Sequence, residues 1–157
     1  MSKVIIGIDP DATAHGVAVY IDGKLEKLAL LNLMEVYGLL ESDYFSDLDY
    51  SFFECHIEDV NAVSAAFGAR DKKRDGGIHV KLKMAQDIGQ CKQAQIEVER
   101  MCEHLGIKVV KHKISNQWKS PREGKKQFEQ VTGWTGRSNE DKRSAAYFGW
   151  LGVTSRA

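Results

Sequence analysis

The sequence is poor in the residues that build secreted or membrane-embedded proteins. It has three cysteines, Cys55, Cys91 and Cys102, which cannot all pair and form no Cys-x-x-Cys zinc or redox pattern. They read as small core residues, and a disulfide framework is excluded. The five histidines, His15, His56, His79, His104 and His112, are scattered without metal-ligand spacing. No apolar run approaches the roughly 20 residues that a membrane helix needs. Met1-Ser2-Lys3 runs straight into Val4-Ile5-Ile6, without the charged, apolar and small-residue regions of a secretory leader. The expectation is a cytoplasmic protein with no membrane partner. At 157 residues, 43% of them hydrophobic and 28% charged, one domain spanning 1–157 is enough to bury a core.

Net charge is also missing: 22 Lys and Arg balance 22 Asp and Glu. The balance is not local. Residues 1–68 hold 3 basic and 12 acidic side chains, a net of −9, whereas residues 69–143 hold 18 and 10, a net of +8. That polarity suits a protein that gathers carboxylates around cations and offers lysines to phosphates.

Lys3 to Asp9 reads as a buried strand, rich in β-branched residues and stopped by Pro10. Gly16 to Tyr20 is a second strand, Asp22-Gly23 a two-residue hairpin turn, and Leu25 to Leu30 the returning third strand. Leu31 to Leu40 predicts a short amphipathic helix. Ser51 to Val60 predicts a fourth strand with Phe52, Phe53 and Ile57 facing inward. Asn61 to His79 reads as a basic loop. A long helix follows from about Val80 to Leu105, with Leu82, Ala85, Ile88, Cys91, Val98, Cys102 and Leu105 in one stripe and Gly106 as its cap. Ile107 to Ile114 is a fifth strand, and helices are expected near Glu123 to Val131 and from Ser138-Asn139 onward. The order β-β-β-α-β-α-β-α-α describes an α/β fold, a mixed five-stranded sheet flanked by helices.

Two carboxylates stand out against this pattern. Asp9 ends a buried strand, and Glu58 lies near the end of another. A lone carboxylate placed there is costly unless it is paired, hydrogen-bonded or metal-bound. Asp141, at a helix start, is a third. Carboxylates carried by two strands and a helix offer the oxygen ligands that hard cations of the Mg²⁺ type require, and such ions support phosphodiester hydrolysis.

Here the residues carry a resemblance. Ile6-Gly7-Ile8-Asp9-Pro10 with Thr13-Ala14-His15-Gly16-Val17-Ala18 resembles the first motif of RuvC-type Holliday junction resolvases, in the RNase H-like nuclease superfamily. Ile57-Glu58-Asp59-Val60 resembles the second motif, and Leu82 to Gln90 is similar to the long helix that follows it. Asp141-Lys142-Arg143-Ser144-Ala145-Ala146 resembles the last, an aspartate opening an Ala-rich helix. The motifs keep the family's order and span nearly the whole chain. Two positions depart from it. Ser144 stands where the family usually carries a second acidic residue, and Asp11, which reads as a turn residue with a further metal ligand as the alternative, stands where it often has glycine.

The resemblance implies an RNase H-like fold and a homodimer that nicks four-way junctions in branched DNA symmetrically. It implies catalysis and metal binding by Asp9, Glu58 and Asp141, with Mg²⁺ as cofactor and Mn²⁺ as substitute. Glu140 or Ser144 would complete the second metal site. The expected DNA contacts are Phe67, Lys72, Lys73 and Arg74 in the basic loop, with Lys113, Lys119, Lys125 and Lys126 further on. Flaps or RNA–DNA hybrids are alternative substrates, and binding a junction without cutting it is an alternative role. Trp118, Trp134 and Trp150 read as packing residues.

Overall fold

The structure, a computed structural model, describes residues 2–62 and 77–155. Five strands form one sheet: β1 (Val4–Asp9), β2 (His15–Ile21), β3 (Lys24–Leu31), β4 (Phe53–Glu58) and β5 (Lys108–His112). Their spatial order is β3-β2-β1-β4-β5. The first three run antiparallel as a meander, and β1, β4 and β5 run parallel, so the sheet is mixed. The turn between β2 and β3 is the expected Asp22-Gly23 pair, both with positive φ (49° and 84°), as the mirror-image turn of a tight hairpin demands.

Among the described residues four helices accompany the sheet: α1 (Leu33–Leu40), α2 (Ile78–Leu105), α3 (Glu123–Thr132) and α4 (Glu140–Thr154). Asn32 caps α1 through a reciprocal capping box with Glu35, so this helix starts two residues later than its apolar pattern suggests. Gly106 ends α2 with φ 78°, as expected of a left-handed cap. No helix among the described residues is long and apolar enough to cross a membrane.

Strand alternation divides the core in two. Val4, Ile6 and Ile8 of β1, Val17 and Val19 of β2, and Phe53, Cys55 and Ile57 of β4 face α1 and α2, where they pack on Val36, Val98, Met101 and Cys102. Ile5, Ala18 and Tyr20 face the other way, onto Trp118, Phe128, Ala145 and Ala146 from α4, α3 and the segment before α3. On this second face α4 lies very close to the sheet. A Cβ on Gly7 would overlap the backbone of Ala145 and Gly149.

Several boundaries differ from expectation. Phe52 belongs to a 3₁₀ turn (Tyr50–Phe52) and is 41% exposed, so it does not face the core. Helix α2 already begins at Ile78, and His79 is therefore helical rather than part of the basic loop. The predicted α2 stripe packs only in its C-terminal half. Val98 and Cys102 are buried, while Leu82 is 59% exposed.

Candidate active site

In β1 the residues facing α4 are Ile5, Gly7 and Asp9; in β4 they are Glu54, His56 and Glu58. Ile8 pairs with Ile57 across the parallel β1–β4 ladder, so Asp9 and Glu58 follow side by side on adjacent strand ends and on one face. Helix α4 brings the third carboxylate. Asp9 pairs with Gly16 of β2, and a Cβ on Gly16 would overlap the Asp141 carbonyl. Glycine at position 16 is thus what lets the first turn of α4 settle beside Asp9. Asn139 caps this helix, accepting from the Lys142 N–H at 2.9 Å. Asp141 stands in the first turn, where the helix dipole favours a negative charge.

Burial and mutual repulsion dominate the electrostatics. Asp9, 8% exposed, has its carboxyl pushed up to about 7, first by burial and then by the charge of Glu58, with Asp141 adding to it. Glu58, 5% exposed, is also raised by burial, while the Ser115 backbone N–H favours its charged form. Asp141 is raised by burial, then by Asp11 and Glu140. Among the described residues Lys119 is the one cation whose charge opposes the rise at all three.

Among the described residues, two buried polar atoms lack partners. Glu58 Oε2 and Ser144 Oγ are out of solvent and make no hydrogen bond, although the hydroxyl lies close enough to favour the charged form of Asp9. Orphaned buried oxygens are rare because each forfeits its hydration. Among the described residues no three His, Cys, Asp or Glu side chains are already gathered closely enough to hold a metal ion. The set nevertheless fits a hard cation: buried oxygen donors, repelling charge and an unpartnered carboxylate oxygen are relieved together by one positive ion.

The remaining predicted residues are distributed as follows. Lys119 is half-buried rather than fully exposed, and near enough for its charge to act on all three carboxylates. Lys113 is exposed after β5, and Lys125 and Lys126 are exposed in the first turn of α3. Glu140 is exposed at the start of α4, beside Asp141. Phe67, Lys72, Lys73 and Arg74 lie outside the described residues. Asp11 makes the expected turn, accepting from the Thr13 N–H at 2.9 Å, and its charge also reaches Asp141. Trp118 packs as expected, 4% exposed against Phe128, Tyr147 and Trp150.

Two features escaped the sequence reading. Buried His56 joins half-buried His112 at 2.8 Å and Glu54 at 2.9 Å, on the same face of β4 as Glu58. Arg143, 5% exposed, donates to the backbone carbonyls of Trp118 and Lys119. The one available signal was an arginine directly before the apolar run of α4, two residues after Asp141.

No family model matches the chain, and no curated protein matches it in sequence. Among solved structures, the Thermus thermophilus RuvC structure is similar, with a TM-score of 0.51 over 94% of this chain and 91% of that one, at 14% identity. T. thermophilus RuvC in complex with Holliday junction substrate is also similar, with a TM-score of 0.53 over 94% and 90%, at 13% identity. The chain has the RNase H-like fold. At such identity the likeness speaks for architecture alone. The chemistry has to be argued from the site.

Proposed function

We propose that this protein is a metal-dependent, structure-selective endodeoxyribonuclease that resolves four-way DNA junctions by hydrolysing phosphodiesters. The observation that carries the reading is the meeting of buried Asp9 and Glu58, on adjacent strand ends of an RNase H-like sheet, with half-buried Asp141 in the first turn of α4, one Glu58 oxygen having no partner among the described residues. Mg²⁺, with Mn²⁺ as substitute, would be held by Asp9, Glu58 and Asp141, with Ser144 or Glu140 nearby. When bound, the cation supplies an activated water and neutralises charge on the phosphate. Asp9 and Glu58 contribute negative charge that water cannot screen, and Gly16 keeps Asp141 beside them. Lys119 offsets part of this charge and can meet a phosphate oxygen at the same place.

Exposed Lys113, Lys125 and Lys126 would track the DNA backbone. We place Phe67, Lys72, Lys73 and Arg74 on the same branched substrate. A homodimer would set two sites across one junction. Ile78, Val80 and Leu82, exposed on the first turns of α2, offer apolar surface for that pairing, which sedimentation tests directly.

The deciding experiment is Mg²⁺-dependent cleavage of a synthetic four-way junction beside flap, RNA–DNA hybrid and linear duplex, using wild type and Asp9→Asn. Paired nicks in the junction, lost in the variant, are expected. Preference for a flap or hybrid would move the substrate assignment. Tight junction binding without cutting in either metal would make the protein a binding factor instead.

A further inference from the structure

Lys119 belongs to the segment between β5 and α3, which has no regular structure of its own to fix it. Its backbone is nonetheless held by two helices. Arg143 Nε donates to the Trp118 carbonyl at 2.8 Å and Nη2 to the Lys119 carbonyl at 2.7 Å, while Nη1 donates to Ser138 Oγ at 3.0 Å. From α3, Gly124 lies so close that a Cβ there would fall 2.6 Å from the Trp118 carbonyl carbon and 2.8 Å from the Lys119 nitrogen. Trp118 itself takes φ 68°, a left-handed conformation that a residue with a Cβ adopts only when its surroundings insist. Its indole is meanwhile locked against Phe128, Tyr147 and Trp150.

The acceptors of the guanidinium are informative. Among the described residues all three are neutral, so the buried guanidinium has no ion pair at hydrogen-bond distance. Burying a charge merely to anchor a loop is an expensive solution. What a planar fork provides, and a smaller donor does not, is simultaneous control of two successive carbonyls. Those carbonyls flank the Cα from which the Lys119 side chain departs. Arg143 also sits two residues after Asp141 and one before Ser144 on α4. The same helix therefore sets one carboxylate of the site and, through this fork, the cation facing it.

We infer that Arg143 is a positioning residue that aims the Lys119 ammonium at the carboxylate site by clamping the Trp118 and Lys119 carbonyls. The inference rests on the nuclease reading above for its functional meaning, while the clamp itself can be tested without it.

The test is a double-mutant cycle of Arg143→Gln and Lys119→Ala on junction cleavage, with melting temperature and junction affinity measured alongside. Arg143→Gln is expected to lower kcat on the order of 10-fold to 100-fold, as a displaced reacting group does, with little change in KM. In the Lys119→Ala background the same substitution should cost nothing further, because the group it positions is gone. Arg143→Lys, which keeps the charge but not the fork, should fall between. Equal losses in both backgrounds would make Arg143 a general structural residue and overturn the inference. If Arg143→Gln does not fold, Gly124→Ala displaces the Trp118–Lys119 peptide directly, and the same cycle applies.

A second readout needs no cleavage. Acylation of Lys119 by an amine reagent, followed by mass spectrometry with exposed Lys126 as internal reference, should accelerate several-fold in Arg143→Gln. An unchanged ratio overturns the clamp. A wild type that cuts no branched DNA defeats the nuclease reading instead, and the labelling ratio still decides the role of Arg143.

Discussion

The two faces of the sheet are built from alternate residues of the same strands and follow opposite rules. Toward α1 and α2, Val4, Ile6, Ile8, Phe53, Cys55 and Ile57 join one apolar cluster. Toward α4, the intervening positions include Gly7, Asp9, His56 and Glu58, and that face holds two buried oxygens with no partner. The first face stabilises the fold by burial. The second gives up some of that stability to keep charge and close-packed backbone where chemistry needs them. A period of two in β1 and β4 is enough to separate the two tasks.

If that division is right, one substitution on each face should have opposite signatures. Asp9→Asn should lower cleavage at least ~10³-fold, several kcal/mol of transition-state stabilisation, while the fold and junction binding persist. Phe53, fully buried with ring centroids of Phe45 and Tyr50 at 5.1 and 5.2 Å, should behave in reverse. Phe53→Ala should cost about 3–5 kcal/mol of stability in denaturant titrations and leave the rate per folded molecule nearly unchanged. Near-normal turnover by Asp9→Asn would remove Asp9 from the chemistry.

The division also explains what could be read in advance. β-branched alternation, Asp22-Gly23 and Gly106 are local signals, and they led to the right strands, hairpin and helix end. The orphaned oxygens, the Arg143 clamp and the nearness of Lys119 to the carboxylates arise between segments far apart in the chain, so no window of sequence contains them. Phe52 and Leu82 misled because an apolar side chain announces burial even where a 3₁₀ turn or a projecting helix leaves it exposed. Asp9 and Glu58 could be found because a carboxylate closing a buried strand contradicts its surroundings. Asp141 became a candidate only beside them, and its place next to Asp9 depends on Gly16.

Smaller effects sharpen the same comparison. Burial raises the Asp9 carboxyl to about 7, and Glu58 and Asp141 are raised as well. An acid whose folded pKa exceeds its unfolded one contributes stability at low pH and loses it as pH rises through the folded value. The metal-free protein should therefore melt higher near pH 5.5 than near pH 8. Asp9→Asn should recover ~3 °C at pH 8, and Mg²⁺ should flatten the dependence. A melting temperature that climbs from pH 5.5 to 8 without metal would show that the carboxylates are not under strain. On the outer surface, replacing Lys125 and Lys126 with alanine should weaken binding to all branched DNA alike and reduce the log K against log salt slope by roughly 2. An unchanged slope would put the DNA elsewhere.

The smallest expected effect is at Ser144, where the strained face departs from the resolvase pattern. Ser144 lies three residues after Asp141, close to the same face of α4, and its buried hydroxyl has no hydrogen-bond partner although it lies near Asp9. A neutral hydroxyl is a weaker cation ligand than a carboxylate, so the protein should hold its second cation loosely. Ser144→Asp should lower the Mg²⁺ or Mn²⁺ concentration needed for half-maximal rate. In the absence of metal it should depress the melting temperature above pH 7, because a further negative charge joins Asp9. Ser144→Ala removes an atom that no protein group satisfies, so it should leave stability unchanged or slightly improved and alter the rate only modestly. Initial rates against Mg²⁺ and Mn²⁺, with melting curves for all three proteins, provide the measurement. If Ser144→Ala were as inactive as Asp9→Asn, the hydroxyl would be essential in its own right. If Ser144→Asp changed neither metal dependence nor metal-free stability, the second turn of α4 would not face the carboxylates, and Asp141 would lose its place among the ligands.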